Sequence, residues 1–484
     1  MMDLRLELDR QSATPLQQQL YRQVRRQILD GALPPGTRLP ASRALARRAG
    51  VARATVVAAY AQLEAEGYLV SRVGAGAYVA NNLPLPVDAA TPPFTPVLSP
   101  WGRRALQAAP NRKSSGPRTE VEIDFGFGRS FPHSFPYDVW RRLLARYLST
   151  DDAMLSRYGS VAGFMPLRRA IADHLANLRG VRCSPEQVVI VSGAQQALDI
   201  LARLLLTRGA AVLVETPGYR DAFELFRLHG AQLVALPVDE AGFPVEQIPP
   251  GCAARLAFVT PSNQFPQGGA LPLPRRLALL AWARAQDAIV VEDDYDGELR
   301  YDGRLLPALQ ALDERGHVVY LGTFSKVLFP ALRLGYVVLP RALVQPFVRA
   351  KGLVDRGAPT LMQAAIADFI AEGHFARHLR RLRQTYGARQ AALIEAVERY
   401  LGDAVCYTAV PAGLHLMLSL PAGCDEAALV QRAAALGVGV YPGAPYHLAQ
   451  PAPSSILLGF SGLQEEEIRE GIRRLARALT RVGE

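Results

Sequence analysis

Lysine is almost missing from this chain. Its 484 residues include 54 lysines and arginines, yet the lysines number three: Lys113, Lys326 and Lys351. A coding bias toward arginine and alanine accounts for the skew. The consequence is chemical, because any reaction that needs a primary amine on a side chain has three candidates. Cysteine is scarce too. Cys183, Cys252, Cys406 and Cys424 lie far apart and form no CxxC pair, which argues against a zinc knuckle or a disulfide framework, and no metal site is expected. No run of about 18 uncharged apolar residues occurs, so no membrane span is expected. The opening MMDLRLELDR is charged from its third residue. It lacks the apolar core of a signal peptide, and a cytoplasmic location is expected.

What is present is globular in composition, with 49% apolar and 20% charged residues. The length suggests two to four domains. The net charge of +10 is unevenly spread. Residues 1–80 hold eleven arginines against six acids, and residues 81–120 hold five bases against two acids. Such a skew points to a polyanionic partner for the N-terminal end. Residues 81–120 also contain eight prolines. Proline lacks an amide proton and fixes φ, so this stretch reads as a semi-extended linker with one short helix near Trp101–Ala108.

The first 80 residues read as three helices and a hairpin. Leu16, Leu20, Val24 and Ile28 repeat every four residues and mark one apolar helical face. A short helix is expected near Arg43–Ala49 and a third from Arg53 to Glu66, with Val56, Tyr60 and Leu63 inward. Arg53 and Thr55 are left on its exposed first turn. Tyr68–Ser71 and Ala77–Val79 flank a glycine turn. This is the pattern of a winged helix-turn-helix, which sets the start of its third helix in the major groove. A small packing domain with a solvated arginine face has the same pattern. Leu33-Pro34-Pro35-Gly36-Thr37-Arg38-Leu39-Pro40, Ser42-Arg43-Ala44-Leu45-Ala46, Arg53-Ala54-Thr55-Val56 and Leu63-Glu64-Ala65-Glu66-Gly67-Tyr68-Leu69 strongly resemble the GntR family of bacterial transcription factors. The resemblance implies double-stranded DNA as partner and assigns contacts to Arg38, Ser42, Arg43, Arg53, Thr55 and the wing, with Arg72 and Gly74. Ala41 and Ala52 stand where that family often has serine, so a helix cap or phosphate contact is expected to be missing.

After residue 121 apolar runs recur, among them Val188–Val191, Ala211–Val214, Leu256–Val259, Ala288–Val291, Val318–Leu321 and Leu334–Leu339. Helix-like stretches such as Ala194–Arg208 and Pro274–Arg284 separate several of them. Continuous apolar strands alternating with helices indicate a mostly parallel sheet covered on both faces. Lys326, in Gly322-Thr323-Phe324-Ser325-Lys326, follows one such strand, and Arg333 lies seven residues on. An amine at a strand end, with hydroxyls and a guanidinium nearby, suits a phosphorylated aldehyde. Pyridoxal phosphate also needs an acid against its ring nitrogen, and Val290-Val291-Glu292-Asp293-Asp294-Tyr295 supplies one. Ser192-Gly193-Ala194-Gln195-Gln196 opens a helix whose free amides suit a phosphate.

Residues 121–484 resemble the fold-type I aminotransferases, with a small C-terminal α+β subdomain. The order of the parts, 12–80 winged helix-turn-helix, 81–120 linker and 121–484 effector domain, resembles the MocR subfamily of GntR regulators. That resemblance implies pyridoxal 5'-phosphate as cofactor and Lys326 as the internal-aldimine lysine. Asp293 is implied at the pyridine nitrogen, Tyr295 at the ring hydroxyl and Tyr219 stacked on the ring. Ser325, Arg333, Ala194 and Gln195 are implied at the phosphate, and Asn263 beside the ring, where the subfamily often has histidine. Tyr158 is implied to reach the phosphate of a partner subunit in a domain-swapped homodimer. Tyr219 and Tyr158 as core aromatics are the plainer alternatives.

One departure concerns the ligand. The aminotransferase arginine that grips a substrate carboxylate is replaced in Ile456-Leu457-Leu458-Gly459-Phe460-Ser461 by Leu457, which cannot pair with an anion. A regulator sensing pyridoxal phosphate itself is therefore favoured, as in PdxR-like members that control vitamin B6 supply. A regulator sensing an amino compound such as GABA, taurine or a D-amino acid is the second reading. A working aminotransferase with a DNA-binding appendage is the third, and an N-terminal module that binds protein instead of DNA is the fourth.

Overall fold

The computed structural model describes residues 4–72, 75–82, 97–108, 121–128, 135–150, 154, 156–303, 306–449 and 451–480. The chain divides into two compact units, Met1–Val97 and Leu98–Glu484.

In the first unit, α1 (Leu16–Leu29), α2 (Ser42–Ala49) and α3 (Arg53–Ala65) pack around a core that includes Leu20, Val24, Ile28, Leu45, Val56, Ala59 and Leu63. Gly50 ends α2 in the left-handed region at φ 63°, a conformation that carries little cost for glycine. The antiparallel hairpin of β1 (Leu69–Arg72) and β2 (Gly76–Val79) follows. The expected glycine turn at Gly74 lies outside the described residues, as does most of the expected linker. The described part of that linker includes the helix Pro100–Gln107, whose Arg104 Nε donates to the Leu228 carbonyl at 2.8 Å.

The first strand of the second unit, after the helix Pro100–Gln107, is β3 (Ile123–Asp124), which runs parallel to β12 (Val438–Gly439). Its main sheet contains β4 (Val188–Val191), β5 (Ala211–Thr216), β6 (Gln232–Pro237), β7 (Leu256–Val259), β8 (Ile289–Asp294), β9 (Val318–Thr323) and β10 (Gly335–Val338). The spatial order is β4-β10-β9-β8-β7-β5-β6, with β10 antiparallel to both neighbours and the remaining pairs parallel. β4, β7 and β10 are buried along their whole length, as a sheet covered on both faces requires. A second sheet, β11 (His415–Ser419), β14 (Ser455–Gly459) and β13 (Tyr441–Pro442), belongs to the C-terminal part and ends in the helix Glu465–Thr480. Among the described residues, no helix is long and apolar enough to cross a membrane.

Candidate functional site

The antiparallel strand β10 gathers the site. Gly335, its first residue, faces Val191 at the end of β4 and Thr323 at the end of β9. The residues just past those two ends, and those just before β10, therefore meet. The approach is close enough to need glycine, since a Cβ on Gly335 would lie 2.9 Å from the Gly322 carbonyl oxygen and 3.4 Å from the Gly193 Cα. Gly193 (φ 119°) starts the helix Ala194–Leu205, and Arg333 sits beside it in the left-handed region at φ 51°. A Cβ on Gly193 would be 3.5 Å from the Arg333 guanidinium.

Along the same edge lie the carboxyl ends of β9, β8, β7 and β5, where open α/β sheets bind ligands. Lys326 follows β9. Its Nζ sits 4.5 Å from the centre of the Phe127 ring. Burial pushes its proton affinity down, although Asp293 and Asp296 partly offset this. Desolvation favours the neutral form of the amine, the form that attacks a carbonyl. Lys351 is in a different state: it is fully buried and bonded to Asp355 at 2.8 Å. Lys113 lies outside the described residues.

Strand alternation separates the acids of β8. Glu292 accepts from the backbone amides of Leu309 (2.7 Å) and Gln310 (2.9 Å). Asp294, two residues on, accepts from Arg179 Nε at 2.9 Å and from the Tyr320 hydroxyl at 2.6 Å. Asp293 between them belongs to the opposite face. Burial, with Asp294 and Glu215 adding repulsion and Lys326 opposing, pushes its carboxyl up to about 7. Tyr295 accepts a hydrogen bond from Asn263 Nδ2 at 3.2 Å, and the same nitrogen donates to Asp296 at 2.7 Å. Tyr219 accepts from Gln195 Nε2 at 3.2 Å and stands edge-on to Phe265.

Ala194 and Gln195 form the first turn of their helix, and no side chain caps it. Its orphan amides and positive dipole end are thus free to hold an anion, with Arg333 alongside. Ser325 donates its amide to Thr323 Oγ1 at 3.1 Å. A partly buried, desolvated amine, a buried carboxyl and an uncapped helix start beside a guanidinium are the set that pyridoxal phosphate requires. Tyr158 is not gathered with them. It is 84% exposed, with Arg356 5.8 Å from its ring, so it is no core aromatic of this chain.

The second sheet supplies one wall. Leu457 pairs with Met417 on one side and Tyr441 on the other. It is 1% exposed and packs in a cluster with Phe265, Tyr295 and Tyr446. The residue at which the resemblance implies the missing carboxylate grip is thus an apolar side chain packed among aromatic rings.

In the first unit, Arg38, Arg43, Arg53 and Arg72 are exposed, and Ser42 and Thr55 are partly so. Arg53 Nε reaches Ser42 Oγ at 3.4 Å, joining the starts of α2 and α3. Ala41 and Ala52 occupy the two N-cap positions, and neither helix start has a side-chain cap. The first-turn amides other than that of Thr55, which donates to the Ala52 carbonyl at 3.0 Å, stay available to a phosphate. Arg72 lies over the Tyr78 ring at 4.8 Å on the hairpin.

Four site-bordering residues escape sequence reasoning. Glu215 accepts from Thr260 and Gln264, Asp296 holds Asn263, His415 lies against Phe127 with ring centres 4.8 Å apart, and Phe127 covers the amine. Asp296 carried a signal as the next acid after Asp294. The other three are brought in from separate strands or loops with no local motif.

The family of bacterial regulatory proteins called gntR matches residues 16–79, and aminotransferase class I and II matches residues 124–475. The chain is 40% identical over 477 residues to a probable rhizopine catabolism regulatory protein, MocR, of Rhizobium meliloti, covering 98% of this chain and 95% of that one. It is 32% identical to the pyridoxine biosynthesis transcriptional regulator PdxR of Corynebacterium glutamicum, with 99% of both chains covered. Among solved structures, the α-aminoadipate aminotransferase LysN of Thermus thermophilus, complexed with N-(5'-phosphopyridoxyl)-L-leucine, superposes with a TM-score of 0.73. It is 33% identical and covers 80% of this chain and 97% of its own.

Proposed function

This chain belongs to the MocR-type GntR regulators, and from that premise we propose that it couples DNA binding to the occupancy of a pyridoxal phosphate site built around Lys326. It is a DNA-binding transcriptional regulator with an aminotransferase-like domain that takes pyridoxal phosphate. The sensing is our reading. The observation that carries it is the contrast within one domain. The partly buried, desolvated amine and the buried acid partner are present, while the place implied for the carboxylate grip of an aminotransferase holds a packed leucine.

When bound, pyridoxal phosphate supplies a carbonyl that captures amines and a ring that withdraws electrons. In this reading Lys326 offers the amine, and Asp293 carries the charge or proton opposite the ring nitrogen. Tyr219 covers one ring face, and Tyr295 and Asn263 hold the ring hydroxyl. Arg333, Ser325 and the amides of Ala194 and Gln195 hold the phosphate. Tyr158, exposed in a single copy, reaches the phosphate of a second copy in a swapped homodimer. Arg38, Ser42, Arg43, Arg53, Thr55 and Arg72 hold the duplex, with Gly74 in the wing. The effector is pyridoxal phosphate or an amine that reacts with it. A ligand shifts such a protein only by its differential affinity for two states.

Gel shifts on the operator, with and without pyridoxal phosphate and amines, test this reading beside visible absorption of the same samples. DNA affinity that follows the visible band supports it. DNA affinity indifferent to the band overturns it. Steady conversion of an amino acid to its keto acid restores the aminotransferase alternative.

A further inference from the structure

Two buried hydrogen-bond acceptors border Tyr295 without a donor. Asn263 is 6% exposed, and its Nδ2 faces the Asp296 carboxylate. Nδ2 donates to both Asp296 and the Tyr295 hydroxyl, so Oδ1 is the atom left over. His415 is 7% exposed and donates Nε2 to the Pro266 carbonyl at 3.1 Å. Its Nδ1 is then the bare acceptor of a neutral ring. Neither Asn263 Oδ1 nor His415 Nδ1 has a hydrogen-bond partner among the described residues. Burial and the nearby Lys326 charge push the imidazole down to about 4, which keeps Nδ1 an acceptor at neutral pH. The His415 ring stacks on Tyr295 with centres 6.4 Å apart, and Asn263 bonds the Tyr295 hydroxyl.

His415 and Leu457 share one face of the second sheet. His415 faces Gly459 across the β11–β14 pair, and Met417, two residues on, faces Leu457. That face therefore carries a bare buried acceptor beside apolar side chains, where a carboxylate-binding site would carry a guanidinium. Unmet buried acceptors cost free energy until a donor arrives.

We propose that this site takes an amine that carries hydroxyl donors and no carboxylate, with His415 accepting from one hydroxyl. The inference rests on the reading of the site as a pyridoxal phosphate-holding sensor and names its ligand class. A carboxylate brings acceptors to a wall of acceptors and leucine, and leaves its charge unpaired. A hydroxyl brings the missing donor. The capture step balances: the carbon–nitrogen double bond to Lys326 breaks as one to the incoming amine forms. The two protons of that amine end on the released lysine nitrogen, and no electrons leave.

The test uses the full chain loaded with pyridoxal phosphate and three probes of one carbon length: 3-amino-1,2-propanediol, propylamine and β-alanine. Shifts of the visible band give the three affinities. The diol should bind about tenfold more tightly than propylamine, as one or two buried hydrogen bonds would provide, and β-alanine should bind most weakly. In His415→Phe the ratio of diol to propylamine should fall toward one. Because the ratio is taken within each protein, a general loss of affinity cancels. A visible band that never forms overturns the sensor reading and this inference with it. A band with no preference for the diol, or with β-alanine tightest, overturns this inference alone. A preference unchanged in His415→Phe also overturns it. The wild-type order decides the ligand class even where that variant fails to fold.

Discussion

Replacing Arg179 by methionine should destabilise the second unit by about 3–5 kcal/mol. Arg179 and Asp294 are each 1% exposed in their side chains. The guanidinium bonds Asp294 at 2.9 and 3.2 Å, Ser262 Oγ at 2.5 Å, and the Leu306 carbonyl. Methionine keeps much of the stem and removes every donor. Asp294 then retains the Tyr320 hydroxyl at 2.6 Å as its one remaining side-chain partner among the bonds described above, and a buried carboxylate held by one neutral donor is under-compensated. The double variant Arg179→Met with Asp294→Asn removes the charge as well, and should recover roughly 1–2 kcal/mol of the loss. Urea unfolding followed by tryptophan fluorescence measures both. A unit this size has a steep denaturant dependence, so the single variant should shift the midpoint by on the order of 1 M. Asp293 lies on the same strand, and retention of pyridoxal phosphate should weaken in parallel. A loss below about 1 kcal/mol in the single variant, or a double variant as unstable as the single, would refute the reasoning.

Lys326→Ala should abolish the visible band given by pyridoxal phosphate, and borohydride should trap the cofactor on Lys326 in the wild type; trapping on Lys351 or Lys113 would sink that assignment. Arg53→Ala should weaken operator binding and flatten the slope of log affinity against log salt by about 0.9 if that guanidinium neutralises one phosphate; an unchanged slope would show that it touches none. Glu215 is buried, and burial pushes its carboxyl up to about 7 from an ordinary value of 4.5. The unfolded chain therefore binds fewer protons between those values, and stability falls as pH rises from 4.5 to 7, by up to about 1.4 kcal/mol per pH unit. Glu215→Gln should flatten that fall, and an unaltered slope in urea midpoints across the window would count against it. Leu457→Arg should raise the affinity for β-alanine over propylamine; no change in their ratio would mean that this position does not face the captured amine.

The secondary structure was legible because its causes are local. Runs such as Val188–Val191 and Val318–Leu321 return as β4 and the body of β9, since a strand buried on both faces has to be apolar throughout. The helix at Ala194 ends at Leu205, three residues short of the expected Arg208; Thr207, Arg208 and Gly209 form the turn into β5 instead. Ala41 and Ala52 at the two helix starts were readable because capping depends on one side chain and its nearest amides. The scarcity of lysine was decisive in the sequence alone, for it narrowed the amine to three positions before any fold was known.

Tertiary structure decided the rest. Three acids follow one another in β8, and strand alternation put Glu292 and Asp294 to structural use and left Asp293 toward Lys326. Arg333 is adjacent to Gly193, 140 positions away in sequence, because antiparallel β10 begins where β4 and β9 end. Glu215, Asp296 and His415 bear on the same pocket from three different strands or strand ends. No spacing in the sequence announces such a meeting, because the distance between side chains on separate strands is set by sheet order and register. Sheet order and register, in turn, are settled by how the whole apolar surface is buried, and no short stretch of the chain holds that information.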